Sequence, residues 1–302
     1  MTKGTVPSPE TVVTRFAPSP TGLLHLGHAH AALFAERAAR QARGEAGGRF
    51  LLRIEDIDRG RCRPAFESAI AEDLSWLGLA WEAPVVRQSE RLAVYRRALD
   101  RLDGRGLLYP CFCTRKDIQA EIARANQAPH GAPKQGPDGP LYPGTCRALG
   151  EAERRAGVAA GRPYALRLDV AAAAAAAGPL AWIEHGRGLE GAAVAAEPEI
   201  HGDVVLARKD VPTSYHLAVT IDDAEQGITL VTRGEDLAPA THVHRLLQAL
   251  LDLPVPQWHH HGLVEDATGR RLAKRDDALA IRTLRDRGLS PAEVRRMAGF
   301  PD

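Results

Sequence analysis

Two histidines three residues apart, His25 and His28, stand in the stretch "RFAPSPTGLLHLGH", Arg15 to His28, together with Pro18, Pro20, Gly22 and Gly27. An apolar strand-like run precedes this stretch and an alanine-rich helix-like run follows it, which puts a helix N-terminus at the histidines. Such an end offers unpaired backbone N–H groups and a positive dipole to a phosphate. The prolines stiffen the turn, the glycines let backbone and ligand approach without a Cβ, and the imidazoles can donate to phosphoryl oxygens. Two histidines at this spacing also read as a purely structural pair. No Walker pattern and no G-x-G-x-x-G occurs, so neither the P-loop nor the dinucleotide turn explains the stretch.

A second constellation is Cys111-Phe112-Cys113, then twenty-eight residues, then Tyr142 and Cys146. Three thiolates are one ligand short of a closed tetrahedral zinc site. His130, inside the gap, is one candidate for the fourth place and Tyr142 another; reduced core cysteines are the alternative to metal. Cys62 sits apart and is given no role. The run His259-His260-His261 does not read as a metal site, because consecutive residues of a strand point to opposite faces; these three are expected at the surface or near a nucleotide. From Gly269 to Arg296, nine basic residues face four acids, which fits either a solvated helix face or a surface for nucleic acid or phosphate.

The elements that must carry these groups alternate. "TVVTRFA" reads as a buried strand, "AHAALFAERAARQARG" as a helix closed by Gly44, and "RFLLRIED" as a second strand. Phe66, Ile70, Leu74 and Leu77 recur at helical spacing after Pro64, and Leu92, Tyr95, Leu99 and Leu102 repeat the pattern with Ser89 as N-cap and Gly104 as stop. This βαβα order predicts a parallel sheet covered by helices. Between about Leu107 and Gly202 the alternation lapses into Pro- and Gly-rich sequence and a run of alanines from Ala171 to Ala177, so an inserted unit is expected there. "DVVLARKD", "HLAVTIDD" and "ITLVTRGED" then read as strands, and "ATHVHRLLQALLD" as an amphipathic helix.

A chain of 302 residues with 44% hydrophobic content and net charge +1 suits a globular protein and gives no sign of a polyanionic partner across the whole chain. No apolar run approaches the roughly 20 residues of a membrane span, and the N-terminus lacks the pattern of a secretion signal. Four cysteines in an intracellular protein of this size are not expected to form a disulfide framework. The cytoplasm is the expected location, with no membrane partner.

"HLGH" resembles the HIGH signature of class I aminoacyl-tRNA synthetases, and "RFAPSPTGLLHLGH" is similar to their glutamyl and glutaminyl branch. The resemblance continues through "LLRIEDID", "SYHLAVTIDD" and "TRGEDL" to "RRLAKRDD", which stands where the family carries its KMSKS-like loop. It therefore covers nearly the whole chain. Full-length members run on into an anticodon-binding domain, whereas this chain ends twenty-eight residues after Lys274. That short form resembles the glutamyl-queuosine tRNA(Asp) synthetase family. The resemblance implies an α/β fold with a Rossmann-like parallel sheet, divided as 1–106 and 203–262 for the two halves of a catalytic domain, 107–202 for an inserted acceptor-binding and zinc subdomain, and 263–302 for the KMSKS-like loop and a short helical end.

It implies, further, a monomeric ligase that activates L-glutamate with ATP and Mg2+, without needing tRNA, and passes glutamate to the queuosine base at the first anticodon position of tRNA(Asp). A glutamyl-tRNA synthetase catalytic domain charging the tRNA 3′ end, or a tRNA-binding module without activity, are the other readings. By the same carry-over His25, Gly27 and His28 meet ATP phosphates, and Lys274 with Arg271 neutralises pyrophosphate. The loop departs from the family pattern, with Arg271 for the first Lys and Ala273 for the Ser. Arg15, Ala17, Ser19, Glu55, Tyr215 and Arg233 correspond to glutamate-binding positions, arginine being the natural partner of a carboxylate. Read without the family, Tyr215 is a core aromatic and Glu55 half of an ion pair with Arg53. The family's C-x-C and Y-x-x-x-C pattern makes Cys111, Cys113, Tyr142 and Cys146 a Zn2+ set.

Overall fold

The computed structural model describes residues 11–41, 47–126, 134–263 and 280–301. The chain runs through β1 (Val13–Phe16), α1 (Leu26–Arg40), β2 (Arg49–Ile54), α2 (Pro64–Trp76), β3 (Glu82–Arg87) and α3 (Leu92–Asp103). An intervening stretch holds β4 (Leu108–Cys111), α4 (Arg115–Asn126), the two-residue strands β5 (Gln135–Gly136) and β6 (Gly139–Pro140), α5 (Glu151–Ala159), β7 (Ala165–Leu168) and α6 (Val170–Ala177). Then come β8 (Ala181–Glu184), β9 (Ala192–Ala195), β10 (Val205–Ala207), α7 (Tyr215–Glu225), β11 (Leu230–Gly234), α8 (Ala240–Leu250), β12 (Gln257–His261), α9 (Ile281–Asp286) and α10 (Pro291–Met297).

Two parallel sheets share one seam. β1, β2 and β3 pair in parallel, as do β11, β12 and β8, with β9 antiparallel on the far edge. The Val13 N–H donates to Thr229 Oγ1 at 2.8 Å, and the Thr229 N–H donates to the Val13 carbonyl at 3.0 Å. β1 and β11 are thus neighbours whose successors lie on opposite sides, the switch point at which open α/β sheets bind ligands. Along β1 the side chains alternate: Thr14 Oγ1 donates to the Ala35 carbonyl on α1, while Arg15 points to Asp223 on α7.

The helices cover both faces with apolar stripes. α1, α2, α9 and α10 bury Leu33, Leu74, Leu284 and Val294 against Leu52 and Ile54 of β2. On the other side Leu99, Leu217, Val243 and Leu247 from α3, α7 and α8 close a second core. Each such side chain contributes roughly 1.5–3 kcal/mol on burial. The chain returns to the junction at Ala280, which bridges to His25, and the Ile281 N–H donates to the Leu24 carbonyl at 2.8 Å.

Several expectations are corrected. "HLAVTIDD" is a helix, α7, not a strand: Ser214 caps it by accepting from the Leu217 N–H, and Leu217, Ala218 and Ile221 fall at helical spacing in the core. Burial on one face overrides the strand preference of Val219, Thr220 and Ile221. Ser89 is not the N-cap of α3, which starts after Arg91; its N–H and hydroxyl instead bond Asp56 at 2.8 and 2.5 Å. α1 begins at Leu26, three residues earlier than expected, and Gly44 lies outside the described residues. The alanine run forms α6, capped by Asp169.

The sheets also cross the expected boundary at 202. β10 pairs antiparallel with β7, which pairs with β4 in a separate three-stranded sheet, whereas β8 pairs with β12 through Glu184 and Trp258. Hydrogen bonding therefore returns Ala181–Glu184 to the central sheet and keeps Val205–Ala207 with the intervening unit.

Candidate functional site

At the β1–α1 junction His25 is the N-cap of α1, its backbone extended at φ −126° and ψ 179°. His25 Nδ1 accepts from the Gly27 N–H at 3.2 Å, and His28 Nδ1 accepts from the His25 N–H at 3.2 Å, a reciprocal cap built from two imidazoles. Their rings lie 3.8 Å apart. An accepting Nδ1 places the ring proton of each neutral imidazole on Nε2. Gly27 is part of the device, because a Cβ there would meet His25 Cε1 at 3.2 Å and Nδ1 at 3.3 Å. At Gly22 a Cβ would meet nothing within 4 Å.

Beside this junction a cavity of about 170 Å³ opens between the ends of β1 and β11 and the start of α7, lined by Arg15, Ala17, Glu55, Tyr215, Thr232 and Arg233 among others. Five of the six expected amino-acid positions thus converge. The sixth, Ser19, is exposed and lies outside that lining.

Charge in the cavity wall is tightly arranged. Asp223 Oδ1 accepts from Arg15 Nε at 2.9 Å and from Arg53 Nη1 at 2.8 Å, and Arg15 Nη1 donates to the Thr232 carbonyl at 3.1 Å. Burial alone would raise the pKa of Asp223, but the two guanidinium groups hold it below its ordinary value. Arg53 Nη2 donates to Glu55 Oε1 at 3.3 Å, so the ion pair read from the sequence exists inside the site. Burial pushes the Glu55 pKa up against the pull of Arg53 and Arg15, which leaves this carboxyl short of positive charge.

Arg233 Nη1 donates to the Tyr215 hydroxyl at 3.1 Å. A phenol that accepts from an arginine keeps its own proton to donate, so Arg233 and Tyr215 together are a donor pair suited to a carboxylate. Behind them stand groups that sequence reasoning did not assign: His260 Nε2 accepts from Arg233 Nε at 3.1 Å, Thr241 Oγ1 accepts from Nη2 at 2.7 Å, and His244 Nδ1 is 3.3 Å from Nη1. Of the three consecutive histidines, His259 and His261 pack on Phe34 of α1 while His260 turns to the opposite face. The alternation is as expected, but these are not surface residues: His260 and His261 are buried.

The sulfur atoms of Cys111, Cys113 and Cys146 lie within 4.8 Å of one another, and Cys113 and Cys146 are 3.4 Å apart. The Tyr142 hydroxyl completes the cluster, 3.4 Å from Cys111 Sγ and 3.7 Å from Cys113 Sγ, and it accepts from the Cys146 N–H at 2.8 Å. Metal–sulfur bonds of about 2.3 Å at tetrahedral angles set sulfurs about 3.8 Å apart, so this donor set fits a metal ion of zinc's size. His130 lies outside the described residues.

The sequence model of tRNA synthetases class I (E and Q), catalytic domain, matches residues 11–298. The chain belongs to that family. A glutamyl-Q tRNA(Asp) synthetase of Rhodobacter capsulatus is 52% identical over 96% of this chain and 100% of its own length. Another, of Symbiobacterium thermophilum, is 43% identical over 93% of this chain and 83% of its own. Among solved structures, a glutamate tRNA ligase of Elizabethkingia meningosepticum in complex with its amino acid superposes with a TM-score of 0.75 at 28% identity. That likeness covers 95% of this chain but 60% of the ligase.

Arg271, Ala273 and Lys274, where the sequence resembles the family's second signature, lie outside the described residues. Its flanks do not: His261 packs on His30 of α1, and Ala280 bridges to His25. No helix among the described residues is long and apolar enough to cross a membrane.

Proposed function

We propose that this chain activates L-glutamate with ATP and transfers the glutamyl group to the queuosine base at the wobble position of tRNA(Asp). The observation that carries the reading is the cavity in which Arg15, Glu55, Tyr215 and Arg233 meet beside the histidine-capped start of α1. Glutamate has two carboxylates and one ammonium. Arg233 with Tyr215, and Arg15, supply donors for the carboxylates, while the ammonium gives Glu55 the charge that burial denies it. Ala17 shapes the wall.

In the first step an α-carboxylate oxygen of glutamate attacks the α-phosphorus of ATP, and pyrophosphate leaves. This chemistry is mostly positioning plus stabilisation of charge on oxygen, and no enzyme nucleophile is required. His25 and His28 act from the helix start on the phosphates, Gly27 keeps the approach open, and Lys274 with Arg271 neutralises the pyrophosphate. One such charge contact is worth about 3 kcal/mol, roughly 100-fold in rate. In the second step a queuosine hydroxyl attacks the glutamyl carbonyl, an ester forms and AMP leaves. Magnesium would accompany the ATP phosphates. Cys111, Cys113, Cys146 and Tyr142 would hold Zn2+, a structural ion that staples β4 to the loop before α5. We take the unit built on β4, β7 and β10, without β8 and β9, as the acceptor-binding subdomain between the catalytic halves.

The likeness to the Rhodobacter capsulatus protein over its whole length favours this acceptor over the tRNA 3′ end. Incubation with glutamate, ATP and queuosine-containing tRNA(Asp), followed by mass spectrometry of the anticodon fragment, decides between them. A glutamyl mass increment on that fragment is expected; an increment on the 3′-terminal adenosine alone would replace this reading with that of a glutamate–tRNA ligase.

A further inference from the structure

We propose that Glu184 and His260 are positioning residues for amino-acid recognition: together they fix which imidazole nitrogen faces Arg233 and so hold its guanidinium aimed at the substrate's side-chain carboxylate. The inference rests on the glutamate reading of the cavity and adds what sets its arginine.

Arginine only donates hydrogen bonds. His260 Nε2, 3.1 Å from Arg233 Nε, must therefore present a lone pair, and the ring proton must sit on Nδ1. Nδ1 lies 2.6 Å from Glu184 Oε2, an acceptor placed to keep it there. Glu184 is itself fixed: its Oε1 accepts from the N–H groups of Gly186 at 2.9 Å and His260 at 3.0 Å, Trp182 Nε1 stands 3.4 Å from Oε2, and the residue is 2% exposed. Burial would raise its pKa, but the His260 ring and these backbone donors bring it down to about 2, so it stays a carboxylate. The close approach depends on Gly186, where a Cβ would fall 2.2 Å from the His260 carbonyl oxygen.

His244 Nδ1, 3.3 Å from Arg233 Nη1, accepts, so its proton is on Nε2 and is donated to His216 Nδ1 at 3.2 Å. Thr241 Oγ1 accepts from Nη2. With the Tyr215 contact, four of the five N–H groups of Arg233 are engaged in one arrangement. A guanidinium so held cannot rotate to suit a side-chain amide, whose NH2 would face donors. The charged and titratable groups turned toward His260 are Glu184 from β8, Arg233 from β11 and Arg187 from the loop after β8; toward His244 they are Arg233, His216, His201 and Arg15. Glu184 is the one acid among them, and it selects the His260 tautomer.

The ring nitrogens of His260 and His244 in 15N-labelled, ligand-free protein give the direct test. We expect the Nδ1–H form at His260 and the Nε2–H form at His244; an Nε2–H or doubly protonated His260 would overturn the inference. Glu184→Gln keeps the shape but puts an NH2 group among four donors. It should move the His260 proton to Nε2 and raise KM for glutamate about tenfold or more, with kcat and KM for ATP within about threefold and discrimination against glutamine reduced. An unchanged KM in a variant that folds would also overturn it. The nitrogen measurement needs no turnover and no variant. A wild-type protein that lacks glutamate-dependent exchange but shows the expected tautomers loses the proposed reaction and keeps this positioning pair.

Discussion

In the proposed glutamate site the arginines have different tasks. Arg15 and Arg53 are both bonded to the buried Asp223, so much of their charge is spent within the protein, and they frame the cavity as much as they serve a ligand. Among the described residues Arg233 has no carboxylate within ion-pair reach; its partners there are a phenol, a hydroxyl and two imidazoles. An unneutralised guanidinium at 6% exposure is costly to bury, and a ligand carboxylate relieves that cost. Arg233→Lys keeps the charge but loses the planar fork and its bonds to His260 and Thr241. Steady-state exchange kinetics should show KM for glutamate raised on the order of 100-fold, about 3 kcal/mol, with KM for ATP little changed; a variant with wild-type KM would remove Arg233 from the glutamate site.

At the scale of elements, α1 starts on a two-imidazole cap at the proposed phosphate site. The helix closes on His25 and His28, which orients both imidazoles before any ligand arrives. Gly27→Ala would press its Cβ on the His25 ring, and loss of such a cap costs about 1 kcal/mol. Circular dichroism melts should show a Tm lowered by a few degrees, with exchange activity reduced about tenfold or more; wild-type activity would separate the cap from the chemistry. Much of this scale is legible in the sequence. α2 begins at Pro64, α3 ends at Gly104 and α8 shows its apolar stripe because each carries a local signal. α7 is not legible as a helix, since Val219, Thr220 and Ile221 favour a strand when read alone and only the packed face decides. Glu184, Thr241 and His244 escape notice for a related reason: the role of Glu184 depends on β8 pairing with β12, seventy-six residues away at His260, and those of Thr241 and His244 on how α8 turns back onto Arg233. The "TIDD" stretch does hold the missed Asp223, but spacing alone gives no hint that two arginines converge on it.

For the whole molecule, two half-sheets meet at β1 and β11, and the intervening unit lies between them in sequence with its own antiparallel sheet and thiol cluster. A Zn2+ ion held by Cys111, Cys113, Tyr142 and Cys146, as proposed, would tie that unit together, so metal removal should act on it first. Chelator treatment is expected to lower Tm and release about one equivalent of zinc per chain in elemental analysis, and Cys146→Ala should abolish that zinc; metal-free protein of unchanged Tm would exclude a structural ion. In the proposed reading glutamate and nucleotide meet at the seam between the half-sheets, and the most direct test is ATP–pyrophosphate exchange driven by glutamate in the absence of tRNA. Exchange should saturate with glutamate, be much weaker with glutamine or aspartate, and fall about 100-fold when Lys274 is replaced by alanine. No exchange from folded protein with ATP and glutamate present, or exchange indifferent to the amino acid supplied, would contradict it.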